Sequence, residues 1–311
     1  MSSVFPTILS VFIFVLIGYI FKKIVNIPIR LEKIFTFISF NILLPLALIT
    51  NFWLITFPEI YISKLLMSFF GAGILVFIIT FFIGKFYCNF KIDDCALFGL
   101  GACFGNSVAL GIPLMYSILG PSKAMPYMIL VLFHGIIHFT YTTFIIEGYR
   151  NRNHSNIKKI IYTIFGLAQN TVLAGMLIGL LLNYLNITFS ESLQLIMIPT
   201  SKIALPTVLV SMGLSIAGFK IILNFSYPLI LTILKNFICP LFAFILAKYI
   251  FLLSPLLIFI VTMAAALPSG TQTYYFSYRY NSLENIISAN VVISTFISFF
   301  TLSILLLFFG Y

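Results

Sequence analysis

The sequence predicts an all-α, polytopic membrane protein of about ten transmembrane helices, and three observations predict it. Charged residues make up 8% of the chain and hydrophobic ones 61%, whereas soluble domains carry about 25% charged residues. The apolar residues fall into runs of about 20, the length that crosses hydrocarbon at 1.5 Å per helical residue. The basic residues gather in every second loop, the bias of cytoplasmic loops. With short connections, 311 residues hold about ten such runs and leave no room for a separate soluble domain.

Apolar runs between charged or turn-rich breaks place the spans at 4–21, 34–54, 65–84, 95–119, 127–146, 160–183, 195–217, 227–251, 255–277 and 286–309. The first run has no Lys or Arg before it and no small-residue cleavage site after it, so it reads as a retained span and not a signal peptide. Loops after the odd-numbered spans hold Lys22, Lys23, Arg30, Lys33, Lys85, Lys91, Arg150, Arg152, Lys158, Lys159, Lys220 and Arg279. The other side holds only Lys64, Lys123 and Lys248. This asymmetry predicts a multi-pass protein of the cell membrane with both termini extracytoplasmic. It also accounts for the net charge of +10 without an aromatic-interleaved basic patch, which excludes nucleic acid as a partner.

The longest polar connection, 147–159, divides the chain into a first five-helix repeat (1–146) and a second (160–311). Five is odd, so the second half enters the membrane upside down, the inverted-repeat arrangement of many secondary transporters. FNILLPLAL (40–48) echoes SKIALPTVL (201–209), which pairs Pro45 with Pro206, and Gly18 pairs with Gly179 at the same offset. Pro113 and Pro268 pair less closely, because the connection before the ninth span is shorter.

Spans four and nine are interrupted in corresponding places. FGNSVALGIPLM (104–115) carries Gly111 and Pro113; AALPSGTQTYYF (265–276) carries Pro268, Ser269 and Gly270. Proline removes a backbone donor and clashes with the preceding turn, while glycine lets the chain unwind. Opened backbone at that depth is tolerated only inside protein or beside a water-filled cavity, and each break starts a half-helix whose N–H groups favour an anion. Either break alone reads as an ordinary kink. Matched breaks flanked by Asn106, Ser107, Ser269, Thr271 and Gln272 read as a substrate site.

Two basic residues, Lys202 and Lys235, lie inside spans, with no Asp or Glu to match them, which suits an anion and argues against cation exchange. Snorkelling to an interface competes with a site role for both. It is the preferred reading for Lys235, whereas Lys202 is favoured for the site because its repeat partner Asn41 is also polar. His134 and His138 share a helix face at a metal-binding spacing, but no carboxylate or Cys completes a set, so packing or proton handling is preferred and neither metal nor cofactor is expected. Cys88, Cys95, Cys103 and Cys239 form no CxxC pair and read as buried small hydrophobes. The aromatic stretch 274–281 with Arg279 reads as an interfacial belt.

Several of these stretches resemble the auxin efflux carrier family, which includes plant auxin exporters and bacterial and archaeal relatives such as malonate carriers. The matching residues are Asn106, Gly111, Ile112, Pro113 and Leu114 in span four, FNILLPL in span two, and LPTVLVSMGLSI (205–216) in span seven. ALPSGTQTYYFSYRYN (266–281) and SANVVISTFISFFTLSILL (288–306) also match. The resemblance implies ten helices in two inverted repeats, helices four and nine crossing at their proline breaks, a small carboxylate near the crossing, and a homodimer. It assigns the carboxylate contact to Asn106 and the crossover prolines to Pro113 and Pro268. Thr171 departs from the Asn-Pro of many relatives, and the long cytoplasmic loop of the plant exporters is absent, so auxin itself is not implied.

The sequence thus reads as a secondary active transporter of a small organic anion, a carboxylate, working by alternating access at the crossing of helices four and nine. Asn106, Ser107, Gly111, Pro113, Lys202, Pro268, Ser269, Gly270 and Gln272 are the expected substrate-site residues, with a proton or a sodium ion as candidate coupling ion and the lipid bilayer as surroundings. The alternatives are a channel or substrate-sensing receptor on a transporter scaffold. An intramembrane enzyme is disfavoured, because the chain has no GxSG serine, GxGD or paired Asp-rich motif.

Overall fold

The computed structural model describes residues 4–25, 27–54, 62–150, 171–219 and 225–310. In chain order the helices are α1 (Val4–Val25), α2 (Ile29–Trp53), α3 (Ile62–Phe86), α4 (Ile92–Cys103), α5 (Ile112–Lys123), α6 (Met125–Arg150), α7 (Thr171–Tyr184), α8 (Glu191–Ala217), α9 (Ser226–Ile250), α10 (Pro255–Ala266), α11 (Thr271–Tyr280) and α12 (Glu284–Phe309). Seven of them, α1, α2, α3, α6, α8, α9 and α12, are long and apolar enough to cross a bilayer. No β-sheet is present among the described residues. Positions 151–170, which include most of the predicted 147–159 connection and the start of the sixth span, lie outside the described residues.

The lipid-facing surfaces are apolar: Ile24, Phe37, Phe82, Leu195, Phe237 and Phe296 are all exposed, which hydrocarbon tolerates and water would not. Between helices, association in lipid relies on close packing, and small residues permit it. α1 lies on α8, where a Cβ on Gly18 would sit 2.1 Å from the Val210 carbonyl oxygen and one on Gly213 2.0 Å from that of Val15. α2 lies on α7 in the same manner, with Gly175 against Pro45 and Gly179 against Phe52 and Ile49.

Besides Leu246–Ile250, the described residues hold three widened turns of i→i+5 hydrogen bonds: Ser39–Leu43, Ser107–Gly111 and Leu234–Ile238. Each is followed at the second position by a proline, Pro45, Pro113 or Pro240. A proline donates no N–H and its ring crowds the carbonyl four residues back, so the turn opens to relieve it.

The two interrupted segments are α4–α5 and α10–α11. In the first, the helix ends at Cys103 and the chain is extended at Phe104 (ψ 114°). The interruption therefore lies well before Gly111 and Pro113, where the sequence reading puts it. Pro113 sits in the first turn of α5, where its missing N–H costs little, and its effect is the widened turn just before it. In the second, Pro268 lies within the break, and Leu267 before it is extended (ψ 146°), as the residue preceding a proline must be.

Candidate functional site

The two breaks meet. Gly105 and Ser269 form an isolated antiparallel bridge; the Asn106 N–H donates to the Pro268 carbonyl at 2.7 Å and the Gly270 N–H to the Phe104 carbonyl at 3.0 Å. Each broken segment thus satisfies the other's opened backbone, which buried polar groups require. The approach leaves no room at Gly270, where a Cβ would lie 2.8 Å from the Phe104 ring and 3.0 Å from the Gly105 oxygen.

α12 props this junction with small polar side chains. Ser294 Oγ accepts the Ser269 N–H at 3.0 Å, and Asn290 Nδ2 donates to the Gly101 carbonyl at 2.9 Å. Ser269 Oγ donates to the same Gly101 carbonyl at 3.0 Å. On the other side, His134 of α6 sets its Nε2 within 3.2 Å of the Gly105 nitrogen and 3.1 Å of its oxygen. The Tyr127 hydroxyl donates to the Ser107 carbonyl at 2.6 Å, and a Cβ on Gly111 would fall 1.8 Å from that hydroxyl.

A cavity of about 340 Å³ opens beside the junction. Val108 and Ala109 from the widened turn before α5, and Thr271 and Gln272 from the first turn of α11, line it together. The first N–H groups of a helix have no carbonyl one turn upstream, so two positive helix ends face one space. Asn41, Thr171 and Ser215 add polar groups, while Phe40, Met212 and Tyr275 add apolar walls; among the described residues no carboxylate lines it. Thr171, the departure from the relatives' proline, donates from Oγ1 to the Phe40 carbonyl at 3.3 Å and to Asn41 Oδ1 at 3.2 Å. A side pocket of about 190 Å³ shares Val108, Val172 and Gln272 and reaches Gly105, Ser107 and His134. A third cavity, about 440 Å³, shares Thr36, Asn41, Ser215 and Tyr275 and extends to Lys22, Glu32 and Lys33, where Lys22 pairs with Glu32 at 2.5 Å.

Of the expected site residues, Asn106, Ser107, Pro268, Ser269 and Gly270 are brought together at the junction, with Gln272 on the cavity wall and Gly111 and Pro113 buried beside it. The Asn106 amide is buried behind Met212 and donates to its thioether sulfur at 3.3 Å, a weak acceptor that a carboxylate would readily displace. Lys202 is exposed on α8 and lines none of these three cavities. Lys235 corrects the snorkelling reading: it is 1% exposed in the middle of α9, and its Nζ donates to the Ala265 carbonyl at 2.5 Å.

The α12 props escaped sequence reading, although Ser294, Ser298 and Thr301 recur at helical spacing and are buried with Ser288; such a polar stripe in an apolar span marks a face turned toward protein. His134 and His138 are both buried against the junction with ring centroids 4.5 Å apart. Among the described residues no three His, Cys, Asp or Glu side chains group to hold a metal. The curated proteins include no match to the chain. Residues 3–306, nearly its whole length, match the family described as Membrane transport protein; the chain belongs to that family, and its work is transport across a membrane rather than catalysis.

Proposed function

We propose that the protein is a secondary active transporter of a small organic anion, a carboxylate, bound where the two broken segments cross. The observation that carries this reading is the shared cavity: two helix starts face it, side-chain amides and hydroxyls supplement them, and no acid among the described residues lines it. Such a site compensates negative charge and offers a cationic solute no counter-charge. In this reading α4–α5 and α10–α11 are the fourth and ninth of ten spans, and 1–146 and 160–311 are inverted repeats joined by 147–159. The paired packing supports it, since spans one on seven and six on two are equivalent contacts under that symmetry and both are glycine-tight. The continuity of the cavity with the space at Lys22 and Lys33 supports an inward-open arrangement with both termini outside. A proton or sodium ion is the candidate driving ion, and a homodimer belongs to the same reading.

Asn106→Ala tests the site. Removing one polar partner of a desolvated anion should weaken carboxylate binding by about 1.5–3 kcal/mol while expression and Tm stay near wild type. Binding to purified protein and uptake into proteoliposomes are measured together; normal values for both would remove Asn106 from the site.

A further inference from the structure

The junction has a buried lysine behind it that the cavity lining does not include. Lys235 sits in the widened turn Leu234–Ile238 of α9, is fully enclosed, and donates to the Ala265 carbonyl in the last turn of α10. That turn is the negative end of a half-helix, which favours a cation but does not neutralise one. A Cβ built on Gly105 would lie 3.6 Å from both Cε and Nζ of Lys235, so the ammonium stands directly behind the bridging backbone whose other side reaches the side pocket.

Among the described residues, the groups around this ammonium supply no counter-ion. α4 contributes Cys103, α9 itself Cys239, and α6 His134 and His138. The acids on the helices packed there stand at helix ends: Asp93 and Asp94 at the start of α4, Glu284 at the start of α12, Glu147 in the last turns of α6. Asp93 is held by Arg150 at 2.7 Å and Asp94 by Ser282. α3 brings only Lys64 and Lys85, near its own ends. An ammonium in this apolar interior needs negative charge nearby.

We infer that Lys235 is the counter-charge of the transported anion, acting through the Gly105 backbone and the low-dielectric interior rather than by contact, and so sets the preference for charged over neutral solutes. The inference rests on the proposed anion site. Lys235 contributes one positive charge, which matches a single carboxylate.

The test uses purified full-length protein and two probe pairs that differ in charge and little in shape, benzoate with benzamide and butyrate with butyramide, with binding measured by calorimetry for wild type, Lys235→Met and Lys235→Arg. The expected result is that Lys235→Met lowers the acid-to-amide affinity ratio by about tenfold or more while amide binding and Tm hold, and that Lys235→Arg largely keeps the ratio. An unchanged ratio in Lys235→Met, or equal losses for acid and amide, overturns the inference while leaving the anion site standing. A wild type that binds the amides as well as the acids overturns both readings.

Discussion

At the first break the chain leaves its helix at Phe104, nine residues before Pro113; at the second, Pro268 lies inside the interruption itself. The props differ as well. The first break is held by one ring nitrogen and a phenol, from His134 and Tyr127 on α6. The second is held by hydroxyls, from Ser294 of α12 and its own Ser269. Two motifs that look equivalent in sequence thus have different causes. The second break is built into the backbone by proline, and the first depends on its neighbours.

The sharpest way to break that comparison is Pro268→Ala. It frees Leu267 from its extended conformation and restores an N–H, so α10 and α11 can fuse into one helix. The start of α11 would then no longer face the cavity, and the bond from Asn106 to the residue 268 carbonyl would be lost. Transport in proteoliposomes should fall by about tenfold or more, a barrier change of about 1.4 kcal/mol per decade, with no loss of Tm. Unchanged transport would mean that the crossing does not depend on this proline.

Pro113→Ala should have a smaller effect. The restored N–H can bond to the Ala109 carbonyl and tighten the turn Ser107–Gly111 to ordinary helix. Val108 and Ala109 would rotate against the cavity, but the break at Phe104–Asn106 would persist because the opposite segment and His134 hold it. We expect a threefold loss or so in transport, well under the 1.4 kcal/mol that a decade represents. If Pro113→Ala proves as damaging as Pro268→Ala, the two breaks share a cause after all.

The difference also marks how far the sequence could be read. The all-α membrane architecture, its seven long apolar helices and the two interrupted segments were legible, because a 20-residue apolar run and a proline both act locally. The flanking polar residues were legible too: Asn106, Ser107, Ser269 and Gln272 meet or line the junction. The position of the first break was not, since Phe104, Gly105 and Asn106 contain no proline and are held open by partners 29 and more residues away. The burial of Lys235 was missed for a related reason. Hydropathy counts a lysine as a cost at its own position, while its burial depends on which helices surround it. Lys235 faces α10 and the junction; Lys202, two residues before the well-buried Ala204, points outward.

The smallest expected effect belongs to that second lysine. Lys202 is exposed on α8, outside the lining of the cavities at the junction, so its charge stands apart from the bound anion. Nearby on the same helix, Ser211 bonds Thr36 at 2.9 Å and Met212 accepts from Asn106, so α8 does reach the cavity, but by a different face. Lys202→Gln keeps the length and polarity of the side chain and removes only the charge. Its effect on carboxylate affinity should fall within about 0.5 kcal/mol, the range of an ordinary surface substitution, against the tenfold change in selectivity expected of Lys235→Met. Measured side by side with the same benzoate and benzamide probes, the two substitutions separate a charge that the anion feels from one that it does not. A drop in acid affinity confined to Lys202→Gln would move the counter-charge from α9 to α8 and return the site to the cation that the sequence pattern favours.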